Sequence, residues 1–133
     1  MEPVQPFKLS IVLSCQVTRF DAATLVGDFE HNLSFLADLG YEGVELAIRN
    51  PDEIDYPEIY KLLSKYTLTV PAIGTGQAWG EEKLSFSDPD ESIRTRAIRR
   101  IAAHIPKAAK LKANIIIGLI RGKTQPGVNF EQA

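Results

Sequence analysis

Glu45 sits inside the apolar run Gly43–Ile48 (GVELAI). Side chains alternate across an extended strand, so Val44, Leu46 and Ile48 share one face and Glu45 and Ala47 the other. The apolar set belongs against helices, which turns Glu45 towards the opposite, inner side. A carboxylate there needs a cation or hydrogen-bond donors, because unpaired burial is costly. It is a candidate ligand contact, the alternative being a structural ion pair. Arg121 ends another apolar run, Asn114–Ile120, between Gly118 and Gly122. Its guanidinium suits a two-pronged grip on a phosphate or carboxylate, or else a salt bridge to Glu45. Trp79, the one tryptophan, offers an aromatic face or a lid, or packs its own loop.

The remaining reactive types carry less. Cys15 has no neighbouring base and reads as a small buried hydrophobe. His31 and His104 fall on helical patterns without metal-ligand company and read as structural or solvated. Arg94, Arg96, Arg99 and Arg100 read as a solvated helix face making local ion pairs. No metal motif, Ser-His-Asp arrangement or phosphate loop can be assembled from the sequence.

The elements that must position these groups alternate regularly. Strands are expected at Leu9–Ser14, Gly43–Ile48, Leu68–Ile73 and Asn114–Ile120. Asp28 caps a first helix with Phe29, Leu33, Leu36 and Leu39 on one stripe, and Gly40 stands at its left-handed end. Asp55 and Pro57 open a second, carrying Ile59, Leu62, Leu63 and Tyr66. Asp88, Pro89 and Glu91 open a third, which Pro106 should kink or end. Pro71 is a blemish in the third strand, since it removes a ladder donor.

Strand-then-helix alternation implies right-handed crossovers and a parallel sheet. The Gly-rich phosphate turn of an open doubly wound sheet is missing after the first strand, where Ser14-Cys15-Gln16-Val17-Thr18 stands instead. The expected fold is therefore α/β, the first half, about four βα units, of a (β/α)8 TIM-type barrel. The 133 residues are about half of a typical complete barrel. One domain, residues 1–133, is expected, ending near the start of a fourth helix at Asn129–Ala133. In such a barrel, ligand-contacting groups stand at the C-terminal ends of strands. That rule adds Ser14, Gln16, Arg49, Asn50, Thr75, Gln77, Glu81, Glu82, Lys83 and Lys123 to the candidates.

Composition narrows the function classes. A net charge of -2 gives no support to nucleic-acid binding. No apolar run reaches the length of a membrane span, and residues 1–7 lack the pattern of a secretory signal. One cysteine cannot form an internal disulfide, so a cytoplasmic setting is expected.

LADLGYEGVEL, GTGQAWGEEKLSFSDPDESIRTRAIRRI and IIIGLIRGK together resemble the sugar phosphate isomerase/epimerase group of xylose-isomerase-like barrels. The resemblance implies proton transfer next to a sugar carbonyl, assisted by a divalent metal (Mn, Mg, Co or Zn) and by carboxylates. The family's metal ligands lie mainly at the ends of strands five to eight, so none is carried over. Glu45, Trp79 and Arg121 match first-half positions that line the substrate pocket, and only that role is transferred.

Three readings follow. The first is an isomerase or epimerase of sugars or sugar phosphates, of which this part alone binds no metal and has no turnover. The second is a metal-dependent endonuclease-like hydrolase. It is disfavoured because strands three and four end in Gly74-Thr75-Gly76 and Arg121-Gly122, without histidines. The third is a non-catalytic half-barrel whose uncovered sheet edges drive homo-oligomerisation.

Overall fold

The computed structural model describes residues 6–19, 24–127 and 129–131. Four strands, β1 (Ser10–Ser14), β2 (Gly43–Ala47), β3 (Ala72–Gly74) and β4 (Asn114–Ile116), lie in the order β1-β2-β3-β4, each pair parallel. Helix α1 (Phe29–Asp38) joins β1 to β2, and α2 (Tyr56–Lys65) joins β2 to β3. Two helices, α3 (Gly76–Glu82) and α4 (Glu91–Leu111), lie between β3 and β4. This is the expected parallel α/β alternation, with four of the eight strands of a (β/α)8 barrel.

Local chemistry explains the helix limits. The Asp28 carboxylate accepts from the His31 backbone N–H at 2.9 Å, and that of Asp55 from Glu58 at 3.1 Å. Each satisfies a donor that the first helical turn leaves orphaned. Helix α1 ends with Gly40 at φ +86°, whose neighbour Tyr41 donates back to the Leu36 carbonyl at 3.0 Å. That closes a left-handed terminus as expected for the glycine. Helix α2 closes the same way without one: Thr67 takes φ +53° while Leu68 N–H reaches the Leu63 carbonyl at 3.0 Å.

The sheet has two different faces. Leu13, Val44, Leu46 and Ile73 are fully buried against Leu33 and Leu36 of α1 and Ile59, Leu62 and Leu63 of α2. The other face, carrying Val12, Glu45, Ala47, Gly74 and Ile116, lines a concavity. The register places Val12 beside Glu45, and Ala47 beside Gly74, which in turn neighbours Ile116. A smaller core of Ala78, Leu84, Ala97 and Ile120 ties α3 and α4 to the segment after β4.

Several expectations need correcting. Pro71 divides the third strand: Thr69 makes an isolated bridge to Gly43, and regular pairing resumes only at Ala72. The fourth strand stops at Ile116, and Leu119–Arg121 is a 3-10 turn that sends Ile120 into the smaller core. The cap of α4 is Asp90, whose carboxylate accepts from Ser92 N–H at 2.8 Å, and Asp88 caps only the turn before it. Pro106 does not end α4, which runs on to Leu111. Gly76–Glu82, expected as loop, is helical. Where a fourth helix was expected, Phe130 and Glu131 form a turn, and residues 132–133 lie outside the described ones. Among the described residues no helix is long and apolar enough to cross a membrane.

Candidate functional site

The concavity measures about 210 Å³ and is lined by the inner strand face together with Thr75, Gly76, Gln77, Gly118 and Leu119. It lies where β3 and β4 end, the end at which such barrels bind ligands. Its wall is mostly apolar, and its polar side chains are Glu45, Thr75 and Gln77.

Glu45 occupies the inner face, as its alternation with Val44 and Leu46 requires. Its Oε1 lies 3.2 Å from the point where a Cβ on Gly74 would stand, so the missing side chain of Gly74 makes room for the carboxylate. No described residue forms an ion pair or side-chain hydrogen bond with Glu45, and the salt bridge to Arg121 is not made.

Thr75 is buried and donates its hydroxyl to the Ile116 carbonyl at 2.7 Å, tying the end of β3 to the end of β4. Gln77, 1% exposed, donates from Nε2 to the Ser14 hydroxyl at 2.9 Å, and Oε1 has no partner. Pairing across 63 positions leaves no trace in local sequence pattern. The only signal for Gln77 was its place just after the third strand.

Trp79 and Arg121 are not brought to Glu45. Trp79 is half-buried and lines a separate hollow with Lys83, Ser85, Asp88, Lys123 and Gln125. The ammonium groups of Lys83 and Lys123 stand 5.3 and 5.6 Å from its ring centroid. Arg121 is exposed on the 3-10 turn after β4 and lines neither hollow.

Other strand-end candidates bind one another instead of facing the concavity. Gln16 accepts from the backbone N–H groups of Arg49 and Asn50 at 2.8 and 3.1 Å and donates to Glu53 at 3.1 Å. Arg49 pairs with Glu81 at 2.6 Å, and Glu81 also takes hydrogen bonds from Thr18 and the Arg19 backbone. Bonds from Thr18 and Arg49 hold the Glu81 carboxyl below the usual carboxylate range. Arg100 reaches both oxygens of Glu82 and the Arg49 carbonyl, so it is a half-buried brace between α4 and α3, not part of a solvated face. Its bond lowers the Glu82 carboxyl likewise. This lattice ties the segment after β2 to α3 and α4.

Two further expectations are settled by burial. The Cys15 thiol packs against the main core, and desolvation pushes it up to about 12, the behaviour of an inert hydrophobe. His104 is fully buried, and neither ring nitrogen has a hydrogen-bond partner. Among the described residues no group of three or more His, Cys, Asp or Glu converges to hold a metal ion, and Glu45 is the one carboxylate lining the concavity. The described residues do not by themselves fit the divalent metal that the resemblance implies.

No curated protein matches the chain. A family model described as xylose isomerase-like TIM barrel matches residues 33–133, from α1 through all the elements that build the concavity except β1. That match agrees with the parallel α/β sheet, and the chain belongs to the xylose isomerase-like TIM barrel family.

Proposed function

We propose that this chain contributes the substrate-binding wall of a sugar or sugar-phosphate isomerase or epimerase that moves a proton next to a carbonyl. The observation that carries the reading is Glu45, an unpartnered carboxylate on the inner face of a strand, against a mostly apolar wall at the ligand-binding end. Such a group accepts hydrogen bonds from substrate hydroxyls and so holds the sugar in place for the proton transfer. Family membership supports the scaffold. Trp79 and Arg121 enter as contacts for a substrate that extends along the rim beyond the concavity. A divalent metal (Mn, Mg, Co or Zn) is part of the proposal for the active assembly, with donors beyond those described.

The test is binding of D-fructose to the full chain, followed by backbone amide resonances. Saturable shifts at Glu45, Gly74 and Thr75 are expected, with affinity falling about fivefold or more in Glu45→Gln. Shifts confined to other surfaces, or an affinity indifferent to Glu45→Gln, would overturn it. So would deuterium uptake beside the sugar carbonyl by the chain alone without metal.

A second reading, assembly of copies through the sheet edge, is favoured by Ile116, Ile117 and Leu119, which are each more than 40% exposed at the β4 end. Sedimentation across a concentration series tests it, and a monomer at all concentrations ends it.

A further inference from the structure

Lys83 follows α3 and Lys123 follows the 3-10 turn after β4, yet a buried latch brings both to the Trp79 ring. The Phe86 backbone N–H donates to the Ile120 carbonyl at 2.9 Å, and the Ser87 hydroxyl donates to the Lys123 carbonyl at 3.3 Å. The two segments meet so closely at Gly122 that a Cβ there would stand 2.0 Å from the Ser87 oxygen. Lys83 itself takes a left-handed backbone, φ +58°, at the end of α3. Two ammonium groups are thereby held at 5.3 and 5.6 Å from the centroid of one indole ring.

Like charges gathered at one ring repel each other, and their surroundings do little to offset that. Among the described residues neither ammonium makes an ion pair, and Lys83 spends one proton on the Gly80 carbonyl at 2.8 Å. Both line a hollow of about 370 Å³ that shares no residue with the wall around Glu45. Its other polar groups are Ser85, Asp88 and Gln125. Because Ser87 gives its proton to Lys123, the Ser85 hydroxyl is the donor in the 3.4 Å pair between the two serines. That bond is long enough to be exchanged for a better acceptor. Gln125 adds an amide with two donor protons. Asp88 is the single carboxylate of the lining, and its Oδ1 already accepts from the Asp90 N–H at 2.9 Å.

We infer that this hollow binds a phosphate group between the Lys83 and Lys123 ammonium groups, with Ser85 and Gln125 as neutral donors. A phosphate monoester carries about -1.5 to -2 charges at pH 7 and three acceptor oxygens, which match two point cations and the further donors. A carboxylate brings one charge and two oxygens. Trp79 is the platform that holds both cations in place. The phosphate is that of a phosphorylated substrate or free inorganic phosphate. The first source rests on the proposed function, whereas the site itself does not.

Trp79 is the only tryptophan, so intrinsic fluorescence reports on this hollow directly. Inorganic phosphate, D-fructose 6-phosphate and acetate are each titrated into the full chain at constant ionic strength. A saturable change is expected with both phosphate compounds and none with acetate. Lys83→Gln and Lys123→Gln, both at exposed positions, should each weaken binding about tenfold. Asp88→Asn keeps an oxygen for the Asp90 N–H, removes the opposing charge and should tighten binding. An equal response to acetate, or a phosphate affinity that neither lysine variant changes, overturns the site. Tighter binding of D-fructose 6-phosphate than of inorganic phosphate assigns the group to a substrate, and equal affinity assigns it to free phosphate. If D-fructose binds at Glu45 while neither phosphate compound moves the Trp79 signal, the inference fails and the proposed function stands. If phosphate binds through the two lysines but D-fructose does not bind, the inference stands and the proposed function fails.

Discussion

Acid should unfold this protein early, and His104 is the reason. Its ring is fully buried in α4, which packs on the 3-10 turn Pro51–Glu53, and neither nitrogen is hydrogen-bonded. Desolvation, helped by the nearby Arg100 charge and only partly opposed by Asp52, lowers its pKa from 6.5 to about 4. The folded state therefore binds fewer protons than the unfolded chain between those values. Stability from this group is complete above about pH 6.5, declines as pH falls, and stops declining below about pH 4. The total is about 3 kcal/mol, at 1.36 kcal/mol per pKa unit, and about 2 kcal/mol of it is gone by pH 5. Urea unfolding at pH 7, 6, 5 and 4, in parallel with His104→Leu, measures the difference and cancels the carboxylates common to both. The variant should match or exceed the wild type at pH 5, because it removes a buried polar ring without partners. Parallel stability curves for the two proteins between pH 7 and 4 would refute the reasoning.

Other perturbations follow from features of the same structure. Gly122→Ala should cost about 3 kcal/mol or more in urea unfolding. Its φ is +90°, and a Cβ would meet the Ser87 and Ser85 hydroxyl oxygens at 2.0 and 2.1 Å. Thr67→Gly should gain about 1 kcal/mol in the same assay, since a β-branched residue is strained at φ +53° and its exposed side chain gives little in return. Arg100→Met should cost about 1–3 kcal/mol, leaving Glu82 and the Arg49 carbonyl without their donor. Its loss should also speed amide exchange in α3.

The parts of the fold that were legible are those governed by short periods. Alternation around Glu45 told which way the carboxylate faces, because neighbouring side chains in a strand must oppose one another. The caps Asp28 and Asp55 and the left-handed Gly40 act within a few residues, so they too could be read. Helix α3 escaped because GQAWGEE is short, holds two glycines and has no side-chain cap. The apolar run ending at Ile120 could not reveal that its last residues leave the sheet, since burial in a second core demands the same residue types. Asp88 and Asp90 are equally good caps on paper, and only the path of the backbone decides between them. At the site, Glu45 was found by local geometry, whereas the Ser14–Gln77 bond and the Arg49–Glu81 pair depend on where distant strands end. The same distance dependence explains why Trp79 and Arg121, both near strand ends in sequence, do not share the concavity with Glu45.

The sequestered thiol of Cys15 has a practical consequence. Moving it from 9.0 to about 12 lowers the thiolate fraction near neutrality by about a thousandfold. A cysteine introduced on the surface can therefore be tagged with a maleimide dye while the native thiol stays silent. In the unmodified chain, colour release from a thiol-reactive disulfide reagent reports how often the sheet opens around β1, a stopwatch that needs no added label.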